Sequence, residues 1–204
     1  MRIIYYYILS CFLLGLEQPY FNLFDLDSLL IQKIESGEVV VTKTLNDYGV
    51  GEHYQVYGII NSNITDVFNA ITNFEDYPKF MPRFESANLV ENSDSLLAYI
   101  FNINLPMNIK YKYKIKMQVL QSLESSWLAW ETIDWEENSI EETWGQWYLT
   151  PYELNNNQVL VQYQVYTDPG YIPFGFKWIV DVLTKKSLPE TVSNLKQWVE
   201  KRAN

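Results

Sequence analysis

The spacing of apolar and polar positions changes character several times along the chain. Residues 1–16, MRIIYYYILSCFLLGL, form an uncharged apolar run behind a single cation, Arg2, and Glu17 closes it. Across Asp25–Gly37, Leu26, Leu29, Leu30 and Ile34 recur at helical spacing, and Gly37 is placed to end the helix. Val39–Thr42 and Tyr54–Ile60 read as strands on either side of the polar turn Asn46-Asp47-Tyr48-Gly49. The clearest helix follows: Asn63 stands at its capping position, Asp66 near its positive end, and Ile64, Val67, Phe68 and Ile71 make one apolar stripe. Pro78 and Pro82 then confine Tyr77–Pro82 to a short turn.

From Ser86 to Thr167 the period becomes two. Leu97, Tyr99, Phe101, Ile103 and Leu105 alternate with smaller or polar residues. Ile109, Tyr111, Tyr113, Ile115, Met117 and Val119 alternate with Lys110, Lys112, Lys114, Lys116 and Gln118. Val159, Val161, Tyr163 and Val165 repeat the pattern, and Trp127–Ile133 and Ser139–Thr150 supply two more strands. Each has one face for a core and one mostly wet face. Polar clusters such as Asn92-Ser93-Asp94 and Asn155-Asn156-Asn157 separate them, which predicts an antiparallel meander. After the turn Asp168-Pro169-Gly170, a helical pattern runs from about Phe174 to Lys201 with Pro189 as an interruption. Phe176, Ile179, Val180 and Leu183 share a face before it, and Val192, Leu195 and Val199 after it. The predicted class is α+β: a long antiparallel sheet that must curl, with the terminal helix filling its concave side.

Composition narrows the function. The chain has 204 residues, enough for one domain with a sizeable core. Its 25 acidic and 15 basic residues leave a net charge of −10, which argues against nucleic acid and against stable electrostatic binding to an anionic membrane, although transient membrane contact stays compatible. One Cys and one His exclude a Cys/His metal cage, a CxxC redox pair and an HExxH site, and no cofactor is expected. The opening run is too short for a transmembrane span, which needs about 20 residues, but suits a secretory leader. Residues 1–16 are therefore read as a signal peptide and 17–204 as a single domain, exported to the periplasm or secreted. The alternatives are a first core element of a cytoplasmic protein and, at Cys11, a lipoprotein site.

Three stretches resemble a known superfamily. Asn61–Pro82, NSNITDVFNAITNFEDYPKFMP, looks like the strand-to-helix entry and the D-x-x-x-Y-P-x-F-x-P turn of START-like, or polyketide cyclase/lipid transport, proteins. Gly145–Pro151, GQWYLTP, is similar to their G-x-W-x-L-x-P strand. Val161–Pro189, with Tyr163, Asp168-Pro169-Gly170, Ile172-Pro173 and Ser187-Leu188-Pro189, resembles their last strand and the start of the gripping helix. The coenzyme Q-binding branch shares the tyrosine–proline turn, and bacterial START-domain proteins more often carry a leader. The resemblance implies a helix-grip fold, in which a curved antiparallel sheet wraps a long C-terminal helix and a short helix pair follows the first strands. It also implies a deep apolar cavity for a lipid, quinone or polyketide, in which a minority of members catalyse reactions.

Tyr99, Phe101, Tyr111, Tyr113, Trp130, Trp147 and Tyr163 on the concave sheet face, with Phe176, Ile179, Val180 and Leu183 on the helix, are the candidate ligand-binding residues. Seven tryptophans exceed what core filling needs, and aromatic walls suit flat apolar ligands. A one-residue slip would exchange Trp130 for Trp127 on that face. Leu128 and Thr132 go with Trp130, whereas Trp127 travels with Glu131, so Trp130 is placed inward. His53 reads as an exposed strand end rather than a general base. The acidic run Asp134, Glu136, Glu137, Glu141 and Glu142 lacks calcium-loop spacing and reads as a solvated hairpin tip. The lysine ladder 110–116 reads as a wet outer face that discourages edge aggregation. The leading function is a non-catalytic binder or carrier of a hydrophobic small molecule. An aromatase/cyclase-like enzyme and a protein-interaction module with a self-filled cavity are the alternatives.

Overall fold

The computed structural model describes residues 27–44, 52–93, 96–122, 124–152, 157–170 and 186–202. The leader of residues 1–16, the turn at Asn46–Gly49 and the helix face of Phe176, Ile179, Val180 and Leu183 lie outside the described residues. The chain divides into two compact units, Met1–Gln32 and Lys33–Asn204. Of the first, only Asp27–Gln32 is described: it opens helix α1 (Ser28–Glu35), where the Asp27 carboxylate accepts the Leu29 N–H at 2.8 Å. In the second unit α1 ends as its sequence predicts. Gly37 takes φ +92°, and the N–H groups of Gly37 and Glu38 bond the carbonyls of Ile34 and Lys33.

Among the described residues eight strands follow in one antiparallel sheet: β1 (Val40–Lys43), β2 (Glu52–Ile60), β3 (Phe84–Asn92), β4 (Leu97–Leu105), β5 (Ile109–Gln121), β6 (Ser126–Thr132), β7 (Glu142–Pro151) and β8 (Val159–Asp168). Their order is β1-β2-β8-β7-β6-β5-β4-β3. The meander from β3 to β8 is the predicted one, and the hairpin β1–β2 closes against the strand that comes last. Between β2 and β3 lie α2 (Ile64–Thr72), a single 3₁₀ turn (Phe74–Asp76) and α3 (Tyr77–Phe80), the expected short helix pair. Asn63 caps α2 as its position predicts: its Oδ1 accepts the Asp66 N–H at 2.9 Å. Helix α4 (Leu188–Arg202) carries Pro189, and the predicted helical stretch before residue 186 lies outside the described residues.

One apolar core joins the inward face of the sheet to these helices. Val192, Leu195 and Val199 of α4 meet Val56 and Ile60 of β2 and Val67 and Ile71 of α2, all nearly inaccessible to water. The approach of α4 to β2 needs Gly58, where an added Cβ would stand 3.0 Å from Val192 Cγ1. The result is the helix-grip arrangement: a curved sheet holding a C-terminal helix.

The lysine ladder of β5 lies on the face away from this core. Lys110 pairs with Glu85, Lys112 with Glu137 and Lys116 with Glu131. The acidic run supplies one of these partners, Glu137, and among the described residues no group of His, Cys, Asp or Glu is placed to hold a metal ion. His53 departs from expectation. It is 5% exposed on the same outer side, beside Trp144 at 5.2 Å between ring centres. A hydrogen-bonded row keeps it there: Trp127 Nε1 donates to Gln146, Gln146 to Gln164, and Gln164 Nε2 meets His53 Nε2 at 2.8 Å.

Candidate functional site: a cavity between sheet and helix

Apolar side chains at every second position of a curled sheet line a hollow on its inner face. That hollow is a cavity of about 660 Å³, within the size range of small-molecule sites. Its sheet wall is Phe101, Ile103 and Leu105 of β4, Tyr111, Tyr113 and Met117 of β5, Leu128 and Trp130 of β6, Trp147 of β7, and Tyr163 and Val165 of β8. Phe74, Tyr77, Met81 and Phe84 close one side, and Ser187, Leu188 and Thr191 mark the start of α4.

Of the candidates on the sheet, Phe101, Tyr111, Tyr113, Trp130, Trp147 and Tyr163 line this cavity. Trp130, not Trp127, points inward; it pairs with Gly145 across β7 and stacks on Tyr163 with ring centres 5.7 Å apart. Gly145 makes this possible, because a Cβ there would lie 2.4 Å from the Trp130 ring and 2.3 Å from the Gln164 carbonyl. Tyr163 also leans on Trp147 at 4.2 Å. Tyr99 is not part of the wall. The 3₁₀ turn lays Phe74 over it at 4.6 Å, so it packs as core below the ring that does face the cavity.

The polar features of the wall decide what it can do. Tyr77 is spoken for: its hydroxyl donates to the Ile71 carbonyl at 2.6 Å. The Tyr113 and Tyr163 hydroxyls have no hydrogen-bond partner among the described residues. Both rings are half-buried, and desolvation raises both phenols far above the ordinary tyrosine range, with the neighbouring Tyr163 adding to the effect on Tyr113. They therefore stand as neutral donors facing the hollow. Sequence reasoning missed the polar rim: Glu52 at the start of β2, Thr143 in β7, Thr167 and Asp168 at the end of β8, and Arg83 before β3. The strand parity that runs through Tyr54 and Val165 extends to Glu52 and Thr167, so that signal was available one step beyond each predicted strand end. Glu52 is paired with Lys43, and Asp168 Oδ1 accepts the Gly170 N–H at 2.9 Å.

The sequence model of the family described as polyketide cyclase / dehydrase and lipid transport matches residues 60–183. No curated protein sequence is significantly similar to the chain. Among solved structures, a STAR-related lipid transfer protein fragment from Xanthomonas axonopodis superposes with a TM-score of 0.66 at 15% identity, covering 79% of this chain and 93% of that one. Human StAR-related lipid transfer protein 5 gives 0.69 at 14% identity, covering 86% and 92%. The Zhui aromatase/cyclase from a Streptomyces species gives 0.62 at 9% identity, covering 76% and 97%. At these identities the likeness is one of fold.

Proposed function

The chain belongs to the polyketide cyclase / dehydrase and lipid transport family, and from that premise we propose that it binds a hydrophobic small molecule in the cavity and holds or carries it without chemical change. One observation carries this reading: an aromatic-walled cavity of about 660 Å³ whose Tyr113 and Tyr163 hydroxyls have no partner among the described residues. Burial of apolar ligand surface supplies affinity at about 25 cal/mol per Å². The two phenols supply donors for a carbonyl or hydroxyl on the ligand, which fixes its orientation.

Catalysis is the weaker reading because acid–base work needs titratable groups that face each other across a substrate. His53, the one imidazole of the chain, lies on the outer side of the sheet. Glu52 and Asp168 at the rim already have partners. Export through a leader at residues 1–16 is proposed alongside, on the order of cation, apolar run and acid there. N-terminal sequencing of the exported protein tests it; an intact Met1 on cytoplasmic protein rejects it.

Solvent extraction of the purified protein followed by mass spectrometry tests the binding reading. A stoichiometric apolar compound in the extract is the expected result. An extract without one, together with failure of the protein to bind a neutral apolar fluorophore, rejects it.

A further inference from the structure

Three charged side chains are among the described residues of the cavity wall: Glu52, Asp168 and Arg83. The two carboxylates are engaged as described above, Glu52 by Lys43 and Asp168 by a backbone N–H. Arg83 is different. Its Nε donates to Ser187 Oγ at 2.8 Å, and among the described residues no carboxylate answers its charge. That single bond leaves both Nη groups, the fork that fits a carboxylate or a phosphate in two parallel hydrogen bonds.

The backbone holds this fork in place. Arg83 stands at φ +70°, a left-handed conformation that side chains other than glycine seldom adopt. Its carbonyl accepts the Asn104 N–H at 2.8 Å, tying the turn to β4, while Ser187 ties the side chain to the start of α4. Arg83 is half-buried among the apolar wall residues Met81, Phe84 and Leu188, so an anion brought there meets a cation that has already given up part of its hydration. The net charge of −10 opposes an anion only weakly, because exposed carboxylates beyond about 8 Å are screened at physiological salt.

We propose that the ligand is an amphipathic anion, an apolar chain or ring system ending in a carboxylate or phosphate monoester, with that head held by the Nη groups of Arg83. This rests on the hydrophobic-binder reading above and adds the class of ligand.

Displacement of the neutral fluorophore N-phenyl-1-naphthylamine from the full chain tests it, with hexadecanoate, hexadecyl phosphate and hexadecanol as competitors. At least one of the two anions should displace the probe at about tenfold lower concentration than the alcohol, the size expected of a charge-assisted pair. Which anion does so identifies the head. Arg83→Gln should abolish that preference while hexadecanol competes as before. Arg83→Lys, which keeps the charge and loses the fork, should retain only part of it and serves if the Gln variant does not fold. Equal displacement by all three compounds in the unaltered protein, or a preference that survives in both variants, overturns the proposal and leaves the binder reading standing. Failure of every compound to bind overturns both.

Discussion

Gln164 Nε2 and His53 Nε2 meet at 2.8 Å across the β8–β2 ladder. The glutamine amide nitrogen can only donate, so this His53 nitrogen accepts and the imidazole is neutral. Burial lowers the His53 pKa below its ordinary value near 6.5. The unfolded chain then binds more protons than the native one between the lowered value and about 6.5, so stability falls as pH drops through that window. Thermal unfolding between pH 7 and pH 5 should show this decline in the unaltered protein and a shallower one in His53→Gln, which cannot be protonated. Parallel curves would remove His53 as a source of acid sensitivity.

Gly145 is the second test. A methyl group there meets the rigid Gln164 carbonyl and the Trp130 ring at distances that contacts between real atoms do not reach. Gly145→Ala must displace Trp130 from the cavity wall or separate β7 from β8. A loss of about 1–3 kcal/mol in urea unfolding is expected, as for other overpacked sites. A red shift of tryptophan emission should accompany it, since Trp130 leaves its stack with Tyr163. An unchanged denaturation midpoint would mean that the sheet yields at this point without strain.

At Asn63 the expected change is smaller. Its side chain satisfies the Asp66 N–H in the first turn of α2. Asn63→Ala should cost about 1 kcal/mol, and Asn63→Asp, which keeps an acceptor, should cost less. Equal losses in both would show that the cap matters for packing rather than for its bond.

These sites also show where sequence reading succeeded and where it stopped. The Asn63 cap, the apolar stripe of α2 and the inward row Tyr111, Tyr113, Ile115, Met117 follow from local spacing, so they were legible. Trp130 was placed correctly because its companions Leu128 and Thr132 are compatible with an inner face and Glu131 is not. His53 reads as exposed because it stands at a strand end beside Glu52, and the outer face of β2, β7 and β8 with Gln55, Gln146, Gln162 and Gln164 looks wet. Instead Gln146 and Gln164 bond one another, with Trp127 at one end of the row and His53 at the other. Tyr99 was misplaced for a related reason. Parity sends it inward, but only the 3₁₀ turn after α2 determines that Phe74 covers it. Arg83 carried no signal, since its direction depends on a left-handed turn residue that no periodicity reveals.

The cavity phenols allow stability and binding to be separated. Tyr77, Tyr113 and Tyr163 all line the hollow, yet among the described residues the Tyr77 hydroxyl alone of the three has a partner, donating to the Ile71 carbonyl. Tyr77→Phe removes a buried hydrogen bond and leaves that carbonyl without this donor, which should cost about 1–3 kcal/mol. Tyr113→Phe and Tyr163→Phe break no bond among the described residues and remove a polar atom from an apolar wall, so stability should stay within about 0.5 kcal/mol or rise. Burial keeps both phenols protonated at neutral pH, so they are lost only as donors and no charge changes. Binding should show the reverse order. A ligand bearing a ketone or hydroxyl should lose affinity in Tyr113→Phe or Tyr163→Phe, while a pure hydrocarbon probe should not respond. Ile71→Ala, a fully buried site in the core, supplies the contrast with a loss of about 2–5 kcal/mol. If the two cavity tyrosines destabilise the fold as Tyr77 does and leave probe and ligand binding alike, their hydroxyls serve the protein's own packing and the ligand takes its orientation from other groups on the wall.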